Sequence, residues 1–385
     1  MLDRLPIELV EDIVRLALPS PYSPLLYRER QKTLLALCRT SRAMRSLVQP
    51  ILFEAVEMEF AHGTKPRRFF QRLGAHGELV RKVGIELDEE EENDLNDEED
   101  LAMFHLDNQA VRALASVSPN LVEMRLMDVA VDGASLELFP NLRYLCLSLQ
   151  AAPSRSFILP ALEQLNMQGT DYSEHSVLPF FSRLTAPRLR AVYLPLGTLE
   201  ARGNFLPELL DKVEMVGTEV YFLWHDPPSA AEVRHLLQPR VLVDIHLSST
   251  FLPPASFLHA TQHFRLHFPS FLSPTERDNW VRTEEAEHRA PLVRKLAKEV
   301  RNMPNLRTVY LPSNLHPTEA RPLKSLRRAV RRLLRACKER EVEVVWESPV
   351  HFWLDSLISP EFWRRCRALK EEEGWWVTDD EEEQE

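Results

Sequence analysis

Five segments of this 385-residue chain share one pattern: "PNLVEMRL" at 119, "PNLRYLCL" at 140, "PALEQLNM" at 160, "PRLRAVYL" at 187 and "PNLRTVYL" at 304. Each reads Pro-x-Leu-x-x-apolar-x-apolar. Random placement of residues at these frequencies yields about one such segment or fewer, so five mark an internal repeat. Proline cannot continue a helix or donate to a central ladder but is accepted as the first residue of a strand, so it closes one element and opens the next. Side chains alternate along the strand that follows: Leu145 and Leu147 are predicted to face a core, and Tyr144, Cys146 and Ser148 to face outward. A unit this small buries its apolar face only by stacking on a neighbour.

Relaxing the proline requirement adds weaker registers at Phe53, Val80, Leu210, Leu242 and Thr261, and a less regular strand near Val342. Between residues 121 and 261 the successive units are 19 to 32 residues long. One strand per unit of about 20 to 29 residues is the period of leucine-rich repeats, and the pattern resembles that family over roughly residues 50 to 347. The family's Asn or Cys after the strand is replaced by Val129, Gln150, Thr170, Gly197, Thr218 and Thr250, and only Asn314 fits. The resemblance therefore implies an α/β array of irregular curvature; a generic α/β domain is the alternative. In this register the central outward positions are Arg125, Cys146, Asn166, Tyr193, Glu214, His246, Arg265 and Tyr310. This row is the predicted concave face and candidate substrate-binding site, because tyrosine and arginine are enriched at binding hot spots. Such residues are also common on any solvated sheet.

The longer gaps are predicted to hold helices. Ser273, Pro274 and Glu276 form a start signal of capping-box type, and the helix is expected to break near Pro291. A second helix over about 318–340 places Leu323, Leu326, Val330, Leu333, Leu334 and Cys337 on one stripe, with Arg321, Lys324, Arg327, Arg328, Arg331, Arg332, Arg335 and Lys338 on the other face. The net charge of −11 conceals this basic character, because ten acids lie in 88–100 ("DEEEENDLNDEED") and nine in 371–385. Removing those nineteen charges leaves a body of +8. The acidic runs are expected to be a solvated loop and a tail. The basic helix suits contact with either run, or phosphates, although nucleic acid is not the expected partner. Within the tail, "EEEGWWVTDDEEEQE" sets Trp375 and Trp376 among acids, as a docking motif or as a cap on the last repeat.

Several function classes are excluded by pattern. Ten glycines against 28 prolines, with no GxGxxG, GxxxxGK[ST] or GxSxG, argue against a phosphate cradle or a nucleophile elbow. No arrangement of Ser, His, Cys or carboxylates has catalytic spacing, so the protein is expected not to be an enzyme and to need no cofactor. His259, His263 and His267 recur every four residues, but "TQHFRLHF" alternates with period two and reads as a strand, so no metal site is expected. Cys38, Cys146, Cys337 and Cys366 are too few and too scattered for a disulfide framework. Without a membrane span or signal segment, the expected location is cytoplasmic or nuclear.

Two amphipathic stretches open the chain: "LPIELVEDIVRLAL" at 5–18 and "TLLALCRTSRAMRSLVQPILFEAV" at 33–56. Leu9, Ile13 and Leu16 line one side of a helix that Pro6 can initiate, and Leu34, Leu37, Met44 and Leu47 do likewise, with a break at Ser41–Arg42. Helices this small cannot bury enough surface to be comfortably stable alone. The stretch resembles the F-box motif, particularly of fungal type, with Leu5, Pro6, Glu8, Leu9, Ile13, Leu37, Cys38 and Arg42 at its characteristic positions. Ser41 stands where many members carry tryptophan, and "PSPYSPLLYRERQ" lengthens the first link. The resemblance implies a three-helix module that binds the Skp-type adaptor of a cullin-RING ubiquitin ligase through Leu5, Pro6, Leu9, Ile13, Leu34, Leu37 and Cys38. The repeats would then hold a protein target, in a chain monomeric apart from that complex. The implied organisation is 1–50 F-box-like, 51–347 repeat-like with an acidic loop at 88–100, and 348–385 a C-terminal helix and acidic tail. A scaffold outside ubiquitin transfer, a simple N-terminal cap, and a nucleic-acid binder using residues 320–340 are the alternatives.

Overall fold

The computed structural model describes residues 6–18, 24–60, 66–87, 104–127, 129–147, 154–167, 180–195, 213, 215–220, 241–246, 252, 258, 261–267, 274–316 and 322–347. It is mixed α/β with parallel sheets. The first helices are α1 (Ile7–Ala17), α2 (Pro24–Cys38) and α3 (Arg42–Glu54). The break predicted at Ser41 is a helix cap: its hydroxyl accepts a hydrogen bond from the Met44 N–H at 3.0 Å, satisfying one donor that the first turn leaves over. Val14, Leu34, Val48 and Ile51 form a small core, with Leu18, Leu37, Met44 and Leu47 packed around it. This cluster is separate from the main core. A boundary at residue 50 falls inside α3, which runs on to Glu54 and passes directly into the first strand.

The remaining elements in chain order are β1 (Ala55–Phe60), α4 (Pro66–Leu73), β2 (Lys82–Leu87), β3 (Phe104–His105), α5 (Asn108–Val117), β4 (Glu123–Met127), β5 (Val129–Ala130), β6 (Tyr144–Leu147), β7 (Phe157–Ile158), β8 (Gln164–Met167), β9 (Leu184–Thr185), β10 (Ala191–Pro195), β11 (Met215–Val220), β12 (Val241–His246), β13 (Thr261–His267), α6 (Pro274–Trp280), α7 (Glu284–Glu299), β14 (Thr308–Pro312), α8 (Lys324–Glu339) and β15 (Glu343–Glu347). Eleven strands form one sheet in the order β1-β2-β4-β6-β8-β10-β11-β12-β13-β14-β15. Every pairing is parallel and follows chain order. β3–β5 and β7–β9 are two-stranded parallel pairs beside it. The eleven comprise the five motif strands, five at or shortly after the weaker registers, and one beside Val342. Val83, Met124, Leu126, Leu145, Leu147, Leu165, Met167, Phe264, Val309 and Leu311 give one sheet face its apolar core, shared with α5, α7 and α8.

The motif proline acts differently from its predicted role. It is not the first residue of the strand; it lies at the second position of a tight turn. The N–H of Leu121, Leu142, Leu162, Leu189 and Leu306 donates to the carbonyl three residues earlier at 3.1 to 3.3 Å, which places each proline where a β-turn favours a preset φ. The leucine that closes each turn is buried. Two successive N–H groups then share one carbonyl of the preceding unit: Arg143 and Tyr144 donate to Val122, Glu163 and Gln164 to Arg143, and Arg190 and Ala191 to Glu163, at 2.8 to 3.1 Å. The turn therefore fixes where each strand joins the one before it.

The predicted break at Pro291 also moves. The chain breaks at 281–283, where the Thr283 hydroxyl donates to the Trp280 carbonyl at 2.8 Å, and α7 continues through Pro291. The ring is on the exposed side of the helix, so water can serve the carbonyl one turn earlier that loses its donor. α8 starts at Lys324, later than the predicted 318.

Candidate functional site

Three surfaces correspond to the predicted partner sites. On α1, Val10 and Val14 turn inward while Leu9, Ile13 and Leu16 share the opposite side at helical spacings of four and three. They remain 49%, 45% and 86% exposed, and Ile7 and Leu35 are 63% and 44% exposed. The neighbouring structure explains why this stripe stays open. Arg15 pairs with Glu54 at 2.6 Å and Glu11 at 3.0 Å, and Gln31 donates to the Leu52 carbonyl at 3.3 Å. The Glu54 and Leu52 contacts hold α1 and α2 against α3, whose Phe53 stacks on His76 with ring centroids 4.3 Å apart. Of the predicted adaptor contacts, Pro6, Leu9 and Ile13 are exposed, and Leu37 and Cys38 are half-buried. Leu34 is a correction: packed on Val14, Val48 and Ile51, it is fully buried and supports the module from inside. Leu5 lies outside the described residues.

The second surface is the polar face of the sheet. Its register keeps the predicted row in two pieces: Arg125 faces Cys146, Cys146 faces Asn166, and Asn166 faces Tyr193, while Arg265 faces Tyr310 two residues further along their strands, the first row continuing through Gly217 and Leu242 to His263. Solvation does not match. Arg125, Cys146, Asn166, Tyr193, Arg265 and Tyr310 are all buried, so they do not form an open concave site. Parallel rows stand only about 4.8 Å apart, and two glycines let long side chains lie across a neighbouring strand. Glu57 reaches over Gly84 to accept a 2.7 Å hydrogen bond from Arg125. A Cβ on Gly84 would come within 1.7 Å of the Glu57 carboxylate. The Tyr193 ring likewise covers Gly217, where a Cβ would come within 2.5 Å of it. In the adjacent row Lys82 lies 3.7 Å from Glu123. Burial pushes the Cys146 thiol up to about 12, with Arg125 lowering it and Glu123 raising it, which leaves it unreactive.

The register further along the sheet shifts at Val241–Leu242. Arg265 therefore faces Asp244, and His246 faces His267. The His246 side chain and Glu214 lie outside the described residues; Gly217 occupies the place opposite Tyr193. His263 is on a strand as expected but buried beside Tyr310. His259 and the His267 side chain are outside the described residues. Asn314, the one residue fitting the post-strand asparagine, is buried with neither amide atom hydrogen-bonded.

The third surface lies between α7 and α8. Ser325 approaches Glu287 at one end, and Arg301 pairs with Glu339 at 2.9 Å at the other, so the helices run parallel. The predicted apolar stripe of α8 holds, with Leu326, Val330, Leu333 and Cys337 buried and Leu323 and Leu334 partly so. Lys324, Arg327, Arg328, Arg331, Arg332, Arg335 and Lys338 are exposed, and Arg321 lies outside the described residues. A groove of about 600 Å³ between the helices is lined by Arg294, Lys295, Lys298, Arg301, Arg332 and Arg335, together with Pro291 and Ala297. The α7 half was missed in the sequence because its cations share a helix with as many acids. Their spacing, at 294, 298 and 301, was the available signal.

Among the described residues no group of His, Cys, Asp and Glu could hold a metal ion, and no helix is long and apolar enough to cross a membrane. No protein-family model matches the sequence, and no curated protein matches it.

Proposed function

We propose that this chain is a non-catalytic substrate-recognition subunit, whose F-box-like module docks on a Skp-type adaptor of a cullin-RING ubiquitin ligase and whose leucine-rich-repeat-like array holds a protein target. The observation that carries this reading is the exposed Leu9–Ile13–Leu16 stripe on a module that already has a core of its own. A contiguous apolar strip on a rigid helix is what a lasting protein partner covers. The array supports the second half. Its strands follow one another in chain order, and the motif units enter through the same proline turn, as in a stack of repeats joined by nearest-neighbour contacts. Target binding falls to the surfaces flanking the sheet, because the central row is buried.

The test is to mix purified full chain with the adaptor and cullin. A stoichiometric complex on size exclusion that recruits cullin is the expected result. Absence of any complex at micromolar concentration refutes the proposal. A chain that binds adaptor without recruiting cullin is instead a scaffold.

A further inference from the structure

We propose that the cationic groove between α7 and α8 is an acidic-peptide site, and that its occupant is the chain's own C-terminal segment, residues 371–385. The groove carries six cations, of which, among the described residues, only Arg301 meets a carboxylate, that of Glu339. Lys295, Lys298, Arg332 and Arg335 have no carboxylate partner among the described residues. Two parallel helices end nearby, each contributing about −0.5 charge, which leaves a surplus of about four positive charges. Such a surplus in one concavity favours a polyanion. The apolar part of the lining, Pro291 and Ala297, adds a preference for a ligand with an apolar body.

The segment 371–385 has that composition, with nine acids around Trp375 and Trp376. Indole rings pack on aliphatic surface and on guanidinium planes. Reach is sufficient. β15 ends at Glu347 beside α8, and the 23 residues from 348 to 370 can span up to about 75 Å. The other acidic run, 88–100, lacks an aromatic residue and is anchored between β2 and β3. β2 lies eight strands from β14 in the sheet, a path of about 38 Å, whereas a loop closing on itself between Leu87 and Phe104 extends about 27 Å from its ends. A nucleic-acid duplex presents a convex backbone to a site that is concave and only about 600 Å³.

Carbodiimide cross-linking of the full chain, read by mass spectrometry, tests this directly because it joins carboxylates to lysines in contact. Cross-links from residues 371–385 to Lys295 and Lys298 are expected, independent of dilution, and suppressed at about 0.5 M salt, where screening acts within about 4 Å. Arg332→Glu with Arg335→Glu, both at exposed positions, retains both lysines and is expected to lower the yield about tenfold. Trp375→Ala with Trp376→Ala leaves the groove intact and is expected to lower it about fivefold. Cross-links from 88–100 instead, links between isotopically distinct chains, or a yield unchanged by the arginine reversals would overturn the proposal. So would tight binding of a random duplex, abolished by those reversals, in a chain that shows no tail cross-link. None of these outcomes depends on whether the adaptor binds.

Discussion

Replacing Leu9, Ile13 and Leu16 together with serine separates a docking surface from a folding surface. Full burial of a Leu or Ile side chain is worth about 1.5–3 kcal/mol. Only the area still open can be gained on docking, so the gain scales with exposures of 49%, 45% and 86%. The three positions together then offer about 2.7–5.4 kcal/mol, and their loss is expected to weaken the proposed adaptor affinity about 100- to 10,000-fold. The folded chain has little to lose at the same positions. Exposed substitutions cost within about 0.5 kcal/mol each, mainly through the lower helix propensity of serine. Val14→Ala is the converse control. Val14 is buried against Leu34, Val48 and Ile51, so its truncation is expected to cost about 1–3 kcal/mol in stability while leaving the docking stripe in place. Isothermal titration with the adaptor and thermal melting of the free chain read the two effects separately. The reasoning fails if the triple variant keeps its affinity, or if it melts as low as Val14→Ala.

Gly84→Ala forces the Glu57 carboxylate, 1.7 Å from the new Cβ, away from Arg125. Denaturant midpoints are expected to show a loss of about 2–4 kcal/mol, shrinking below about 1 kcal/mol when Glu57 is already alanine. Asp132 is partly desolvated, which raises its pKa, but hydrogen bonds from Ser154 and the Ala134 N–H, with Arg155 nearby, hold it below the usual carboxylate range. Its stabilisation is therefore complete above the unfolded value of about 3.9 and lost as the pH falls through the lower folded value. Asp132→Asn should flatten that acid limb in urea titrations at pH 7 and pH 3. Burial pushes both Cys146 and Cys337 up to about 12, so alkylation followed by mass spectrometry should label half-buried Cys38 before these two, which react only on unfolding.

The repeat was legible because its turn and its strand are both short-range. Pro119, Asn120 and Leu121 specify a turn through bonds confined to four residues, and Met124 and Leu126 reveal the core face through period-two alternation. The same local signals misplaced the proline by one element, since φ preset at a turn and the lack of an N–H at a strand start leave similar traces. The burial of Arg125 and Tyr193 was not legible. It depends on which residue stands beside them on the adjacent strand, and Gly84 and Gly217 are 41 and 24 positions distant in the sequence. Alternation gives the side of the sheet but not what lies across it. The groove has the same character, being assembled from residues 294–301 and 332–335 only because parallel helices are set side by side.

The distribution of satisfied and unsatisfied groups along the array sets the two proposed interaction surfaces apart. Across the first three strands of the polar face, charge is consumed internally: Glu57 holds Arg125 and Lys82 approaches Glu123, leaving little on that face to recognise a partner. At the β1 end the surplus is apolar, in Leu9, Ile13 and Leu16. At the β14–β15 end it is cationic, in Lys295, Lys298, Arg332 and Arg335. A stack of parallel strands gives its central units two neighbours and its terminal units one, so unsatisfied surface accumulates at the ends. The two surpluses differ in kind. Apolar surface is best satisfied by a lasting partner that excludes water, whereas exposed cations bind in a way that salt and competing anions can reverse. On the proposed function, the stable assembly belongs to the N-terminal end and the proposed exchangeable contact to the C-terminal end.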